Sequence, residues 1–556
     1  MNYSEDDIVA RFSVEGKVVD VLEEDIFEGV VFIEDGSIET IERRETDRNK
    51  YIMPGFIDSH VHVESSMLAP KEFSRLAVQH GSVAAVCDPH EIANVLGLDG
   101  IRYMIENGER TPFKFNFGAP SCVPSTPYET NGAELGVREL EELFETENLT
   151  HLSEVMDFLG VIDREEKLME KIKLAKEHGL KIDGHAPGLR GENLDRYISA
   201  GIETDHETTS LEEAEEKIEK GMKIQIRDGS ASKDIDELIG LIDKFPDECM
   251  FCTDDIKVVD LVDRHIDSMV RKAVKEGIDV MKVLRAACVN PVLHYGLEVG
   301  ILREGDPADF IVVEDLEDFE IERSYINGEE VYNKKEGIGP GSLSSKTPNN
   351  FKAEKQKTLD FGVKMKGEKI RVIGVKDKKI ITEDLVEKAK VEDGYAVSDT
   401  DRDILKLAVL NRYEASEPAV GFVHGFGLNE GAIASSVLHD SHNIIAVGTD
   451  DRSISEAVNA VIEEKGGLAA VLGDDTEVLP LPIAGLMSDQ RYEEVEKKFD
   501  SLGKMVEMMD CKLSAPFMTL SFLSLLVIPS LKLSDKGLFD VRNYEFVDIS
   551  SKKDPE

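Results

Sequence analysis

Apolar and polar positions fall into three regimes along the chain. Residues 12 to 42 alternate apolar and polar side chains, with turns expected at Glu15-Gly16 and Asp35-Gly36. That period of two predicts short antiparallel strands. A similar strand-rich piece, 301 to 332, recurs far downstream. One small β-domain built from both flanks of an inserted larger domain is the simplest arrangement. Between the flanks, about 52 to 298, short apolar runs alternate with amphipathic helical stretches such as "EEKLMEKIKLAKEHG" and "LEEAEEKIEKG". The runs are "FIDSHVHV", "VAAVCD", "FKFNFGAP", "HLSEVMDF", "LKIDGHAP", "GIETDHE", "MKIQIRDG" and "MFCTDD". Eight strand-helix repeats over roughly 250 residues predict a (β/α)8 barrel. The expected fold is α/β: a (β/α)8 barrel, a small composite β-domain from both flanks, and an additional C-terminal α+β domain. The expected divisions are 1-51 and 299-345 for the β-domain, 52-298 for the barrel and 346-556 for the C-terminal domain.

Composition narrows the class. At 556 residues, 41% hydrophobic and 32% charged, the chain can bury large cores in more than one domain. The opening "MNYSEDDIVARFSVEGK" is acidic and polar, unlike a signal peptide. The apolar stretch "APFMTLSFLSLLVIPS", 515 to 530, is too short and too interrupted to span a bilayer. It reads as buried core, so a soluble cytoplasmic protein with no membrane partner is expected. Six scattered cysteines suggest no disulfide framework. Cys249 and Cys252, three apart on an expected strand, would face opposite sides and hold no shared metal. The formal net charge of −47 opposes a nucleic-acid partner. It fits a surface tuned to high internal salt; a merely acidic soluble enzyme is the alternative.

Chemistry-bearing residues sit where a barrel puts its active site, at the C-terminal ends of the strands. In "PGFIDSHVHVESSM", strand alternation would put Asp58, His60, His62 and Glu64 on one face. An isolated His-x-His is commonly a pair of hydrogen-bonded imidazoles, so the other strand ends decide. The second strand runs into Asp88, His90 and Glu91, the third reaches Ser121, the fourth Glu154 and the fifth His185. The sixth reaches His206, the seventh Arg227 and Ser230, the eighth Asp254. Histidines after strands one, five and six, with carboxylates after four and eight, point to a metal site. Imidazole and carboxylate without thiolate suit Zn, Mn or Fe(II). Four histidines and two carboxylates exceed the needs of one ion. Two ions bridged by Glu154, sharing a water and supplying hydroxide near neutral pH, are expected.

These motifs carry a resemblance. "PGFIDSHVHVE", the histidines of strands five and six, and "TDD" on strand eight resemble the amidohydrolase superfamily. "PGFIDSHVHVESSML", "CDPHEIANVLG", "GHAPGLRG", "TDHETTSLEEA", "RDGSA" and "NPVLHYGL" are similar to its bacterial and archaeal adenine deaminases. So are "HDSHNIIAVGTDD" and "PFMTLSFLSLLVIPSLKLSDKGLFDV" beyond the barrel, so the likeness spans nearly the whole chain. The resemblance implies hydrolytic deamination of adenine to hypoxanthine and ammonia, in purine salvage, with adenine and water as small-molecule partners. It implies two divalent ions, manganese first, with iron or zinc as alternatives, on His60, His62, Glu154, His185, His206 and Asp254. By the same resemblance Asp88, His90 and Glu91 would lie near the substrate; Ser121, Arg227 and Ser230, read from the strand ends, are further candidate contacts. A homo-oligomer, a dimer, is expected. One departure is that Ile256, Lys257 and Val258 follow the strand-eight Asp-Asp, where the family often has a basic residue, His and Pro.

The expected mechanism has an activated hydroxide attack C6, with Asp254 moving its proton to a ring nitrogen or the leaving amine. Glu91 is the candidate second proton donor; a helix N-terminal acid is its plainer reading. In "GFVHGFGLNEGAIASSVLHDSHN", His439 and His442 could share a helix face and close a loop over the barrel mouth, or bond locally. Two other functions stay open: another amidohydrolase reaction such as cyclic-amide hydrolysis, and a non-catalytic purine-binding protein.

Overall fold

In the computed structural model, residues 11–230, 232–339 and 346–550 are described. The acidic opening through residue 10 and the expected boundary at 345 and 346 lie, wholly or in part, outside the described residues.

A seven-stranded sheet joins the two flanks. Its N-terminal strands are β1 (Arg11–Asp20), β2 (Asp25–Glu34), β3 (Ser37–Arg43) and β4 (Tyr51–Pro54). The barrel strands follow as β5 (Phe56–Val61), β6 (Ser82–Cys87), β7 (Lys114–Phe117), β8 (His151–Val155), β9 (Lys181–Gly184), β10 (Thr204–Asp205), β11 (Lys223–Arg227) and β12 (Cys249–Cys252). Then come β13 (Phe310–Val313), β14 (Ile321–Ile326) and β15 (Glu329–Asn333). The flank sheet runs β15-β14-β13-β4-β1-β2-β3. The expected turn at Glu15-Gly16 is not there. Both residues lie inside β1, opposite Val30 and Gly29. Gly16 is needed because β4 comes close: a Cβ would sit 2.6 Å from the Lys50 carbonyl oxygen. The turn at Asp35-Gly36 does form, with Gly36 at φ +79°.

The eight barrel strands pair in parallel as β5-β6-β7, β8-β9 and β10-β11-β12. Backbone bonds link the groups. Ala119, just past β7, bridges Leu152 of β8, and Glu203 N donates to Ile182 O of β9 at 3.0 Å. Asp254, just past β12, exchanges bonds with the first strand: Asp254 N to His60 O at 2.9 Å and His62 N to Asp254 O at 3.0 Å. Helices such as Glu166–Glu177 and Leu211–Glu219 lie between. Residues of β5, β6 and β12 are buried throughout, as parallel strands covered on both faces require. This is an α/β domain of TIM-barrel type. Glu64 does not share the strand face, because β5 ends at Val61 and a 3₁₀ turn, Val63–Ser66, follows. Cys249 and Cys252 are both buried and free.

The C-terminal domain adds β16 (Val363–Lys364), β17 (Lys369–Gly374), β18 (Glu383–Lys388), β19 (Lys390–Glu392), β20 (Tyr395–Val397) and β21 (Ile404–Leu410). It continues with β22 (Ala419–His424), β23 (Ala432–Ser435), β24 (Ile444–Gly448), β25 (Gly467–Leu472) and β26 (Asp475–Pro480). Eight of these form one sheet, β18-β17-β22-β21-β24-β23-β25-β26. Helix Asp451–Glu463 covers it through Ile454, Ala457, Val458 and Val461. The stretch expected as a loop therefore contains two strands, β22 and β23. His439 and His442 follow them in a turn rather than on a helix, with His442 at φ 51°. In the apolar 515–530 stretch, Phe517, Leu520, Leu523 and Leu526 are buried. Among the described residues no helix is long and apolar enough to cross a membrane.

Candidate active site

The parallel strands deliver their last side chains to one place. His60 lies in β5 and His62 just past it; their Nε2 atoms stand 3.3 Å apart. The ring of His60 stacks on that of His206, 4.0 Å between centroids. Glu154, from β8, reaches both halves of the cluster. Its Oε1 lies 3.3 Å from His62 Nε2 and 3.4 Å from His90 Nδ1. Its Oε2 lies 2.6 Å from His185 Nδ1 and 3.3 Å from His206 Nε2. Asp254 Oδ1 lies 3.2 Å from His62 Nε2 and 3.8 Å from His60 Nε2. All six groups expected as ligands therefore converge.

The donor set fits divalent cations. Ligand atoms of His60, His62 and Asp254 lie within 4.8 Å of one another, as do those of His60, Glu154 and His206. His62 Nδ1 donates to the Asp88 carbonyl at 3.1 Å, which leaves its Nε2 lone pair facing the cluster. Two lone pairs 3.3 Å apart repel unless a proton or cation lies between them. Burial pulls His185 down, but the adjoining Glu154 outweighs it and lifts the imidazole to about 9. Burial likewise opposes ionisation of Glu154, yet its imidazole neighbours hold the carboxyl well below the usual range.

Other expected residues take supporting places. Arg227 Nη1 donates to Asp254 Oδ2 at 2.8 Å, and the guanidinium also pairs with Glu207 and Asp234. Arg227 thus turns Asp254 Oδ1 toward the imidazoles instead of standing free for substrate. Asp88 Oδ1 accepts from His90 N at 3.0 Å, opening helix His90–Leu96. Ser121 is committed to the scaffold, its Oγ donating to the Glu154 carbonyl at 2.7 Å. Ser230 Oγ donates to Asp260 and accepts from Lys257 N at 2.8 Å, so it too is used internally.

Glu91 is where the two domains meet. His439 Nδ1 lies 2.7 Å from its Oε1, and His442 Nε2 makes a charge-pair contact with its Oε2. The His439 ring stacks on Phe522, 4.8 Å between centroids. Burial alone would raise the Glu91 carboxyl, but His439 and His442 hold it well below the usual range. Glu91 thus faces His439 and His442 on one side and His90 on the other, its Oε1 3.6 Å from His90 Nε2. Sequence reasoning missed Glu207, beside His206 in "TDHETTS", and Asp440, inside "HDSHN". It also missed Glu129, which carries no local signal.

Comparison with known proteins adds an independent line. A model of the amidohydrolase family matches residues 51–331, and a model of the adenine deaminase C-terminal domain matches 379–545. The adenine deaminase of Salinibacter ruber is 53% identical over 541 residues, covering 97% of this chain and 99% of its own length. That of Methanosarcina mazei is 47% identical over 553 residues, covering 96% and 98%. Among solved structures, the N-acetylglucosamine-6-phosphate deacetylase of Thermotoga maritima aligns with a TM-score of 0.45 at 17% identity. It covers 58% of this chain and 100% of its own.

Proposed function

We infer function from one premise: the chain belongs to the amidohydrolase family and, within it, to the adenine deaminases. It is an enzyme that deaminates adenine, using water. The observation that carries the site reading is Glu154, whose two oxygens face separate groups of imidazoles. His60, His62, Glu154 and Asp254 would hold one divalent ion, and Glu154, His185 and His206 a second. Manganese is the first choice and iron or zinc the alternatives. When bound, the ions supply Lewis acidity that makes water a nucleophile near neutral pH.

The chain's own residues supply the rest. Asp254 has one oxygen fixed by Arg227, and its Oδ1, which faces His60 and His62 at the site, would take the proton that water loses as it adds to C6. It returns that proton to the departing amine. The balance is adenine and water in, hypoxanthine and ammonia out. His90 stands between Glu154 and Glu91 and lines the path for the purine. Glu91 orders His439 and His442 and thereby seats the C-terminal segment over the strand ends. We read the eight strands as one closed (β/α)8 barrel over 52–298, supported by the Asp254 bonds to β5. The divisions 1–51, 299–345 and 346–556 complete that reading. A cytoplasmic dimer acting in purine salvage, with no membrane partner, completes the proposal, and the −47 charge speaks against a nucleic-acid partner.

The test is ammonia release from adenine, adenosine and cytosine by protein loaded with Mn2+, followed by chelation and metal return. Adenine should be the substrate, with activity lost on chelation and restored by Mn2+. Full activity in protein shown by elemental analysis to be metal-free would overturn the metal assignment. Hydrolysis of a cyclic amide without ammonia release from adenine would favour the other amidohydrolase chemistry.

A further inference from the structure

The segment 438–443 runs from the C-terminal sheet to the mouth of the strand ends, and part of its polar surface is spent. His439 and His442 pair with Glu91. Asn443 accepts from Arg412 N at 3.1 Å and donates to Thr130 O at 2.9 Å. Asp440 differs. It is 5% exposed, yet its Oδ2 is buried with no hydrogen-bond partner. One of its oxygens lies within 4.8 Å of a ring nitrogen of His90 and a carboxylate oxygen of Glu91. His90 Nδ1 is itself 3.4 Å from Glu154 Oε1. Asp440 therefore stands one side chain away from the ring of ligand groups.

A second carboxyl shares this neighbourhood. Glu129, in the loop after β7, is 4% exposed; burial pushes its carboxyl well above the usual range, against the pull of Ser441 and Lys536, and Asp440 lies close enough to raise it further. Lys536 Nζ donates to the carbonyls of Pro127 at 3.3 Å and Glu129 at 3.1 Å, and Arg412 donates to the Ala484 carbonyl. Buried polar atoms are normally bonded, and those left over call for an explanation. The unbonded Asp440 Oδ2 calls for an N–H or O–H donor.

Adenine brings such a donor. With C6 at the metal-ligand groups, its five-membered ring carries one N–H, on N9 or N7 according to tautomer. A substituent on N9 removes it in both cases. We propose that Asp440 accepts a hydrogen bond from that ring N–H, with Glu129 closing the same end of the pocket. This contact makes the enzyme select the free base over N9-substituted purines. The proposal rests on the reading of the chain as an adenine deaminase. It gives the C-terminal domain a direct part in substrate choice. A site built to bond an N–H rejects the analogue that lacks it far more strongly than an apolar pocket would.

The test uses the full-length, Mn2+-loaded protein. Wild type should turn over adenine and be inhibited by 9-methyladenine only at concentrations at least ~100-fold above the KM for adenine. Asp440→Ala should raise the KM for adenine by roughly 10- to 100-fold, kcat falling less, with metal content unchanged. Its preference for adenine over 9-methyladenine should shrink to within about tenfold. Asp440→Asn, which keeps the size but puts an amide in place of the charge, should fall between. Wild-type protein inhibited by 9-methyladenine at the adenine KM would overturn the proposal without any variant, and so would an unchanged KM in Asp440→Ala. Failure of wild type to release ammonia from adenine would instead overturn the underlying functional reading.

Discussion

Asp254→Asn separates the two jobs given to this side chain. The backbone tolerates the change: Asp254 sits at φ 57°, a left-handed conformation that Asn accepts nearly as well as Asp. The electrostatic damage is limited as well. Arg227 would lose one of three carboxylates but keep Glu207 and Asp234, so no buried cation is left alone. The amide oxygen can turn to Arg227, and the five other ligand groups stay in place. What disappears is the acceptor at Oδ1. General base catalysis is worth about 10²- to 10⁴-fold, or roughly 2.7–5.4 kcal/mol of barrier at 1.36 kcal/mol per tenfold. The expected result is kcat lowered at least ~100-fold with near-normal metal content. Glu154→Gln is the control. Both Glu154 oxygens face imidazoles at 2.6–3.4 Å, so its loss should lower metal content first. The assay is kcat for ammonia release beside metal stoichiometry for both variants and wild type. Near-wild-type kcat in a metal-replete Asp254→Asn would refute the proton role. Metal loss matching the loss of rate would refute the division of labour.

Three further outcomes follow from other parts of the molecule. Glu91→Gln removes a charge that two imidazoles share, at a cost of ~2 kcal/mol; calorimetry should show the C-terminal domain melting ~4–8 °C lower, and an unmoved transition would deny Glu91 its role in holding the domains together. Lys532 is buried, donates only to the carbonyls of Ile380 and Phe522, and is pushed down by burial to about 7. Between that value and the ordinary lysine value of 10.5 the unfolded chain binds the extra proton, so this group makes stability rise with pH across that window. Lys532→Met should flatten the rise and stabilise the protein at neutral pH and below; denaturant melts at pH 7 and pH 9.5 that respond identically in variant and wild type would reject it. The −47 charge predicts a higher melting temperature in molar KCl than at low ionic strength, since salt screens self-repulsion; a flat or falling trend would remove salt adaptation as its meaning.

Local pattern carried much of the architecture. The eight apolar runs became eight parallel strands because a buried parallel strand needs a short apolar stretch, and that need is written within a few residues. His60, His62, Glu154, His185, His206 and Asp254 could be picked out because each closes such a run, where a barrel gathers its chemistry. Gly16 shows the limit of local reading. A glycine after an acid looks like a turn, and only the approach of β4 explains it inside a strand. Arg227, Ser121 and Ser230 looked available for substrate, but the fold commits them to Asp254, to the Glu154 carbonyl and to Asp260. The partnership of Glu91 with His439 and His442 joins positions about 350 residues apart, and no periodicity encodes such a distance. Whether a carboxyl gives or accepts a proton depends on which charges lie within a few ångströms of it. Tertiary structure set Glu91 against His439 and His442 and left Asp440 Oδ2 buried without a hydrogen-bond partner, because only packing decides which polar atoms are satisfied.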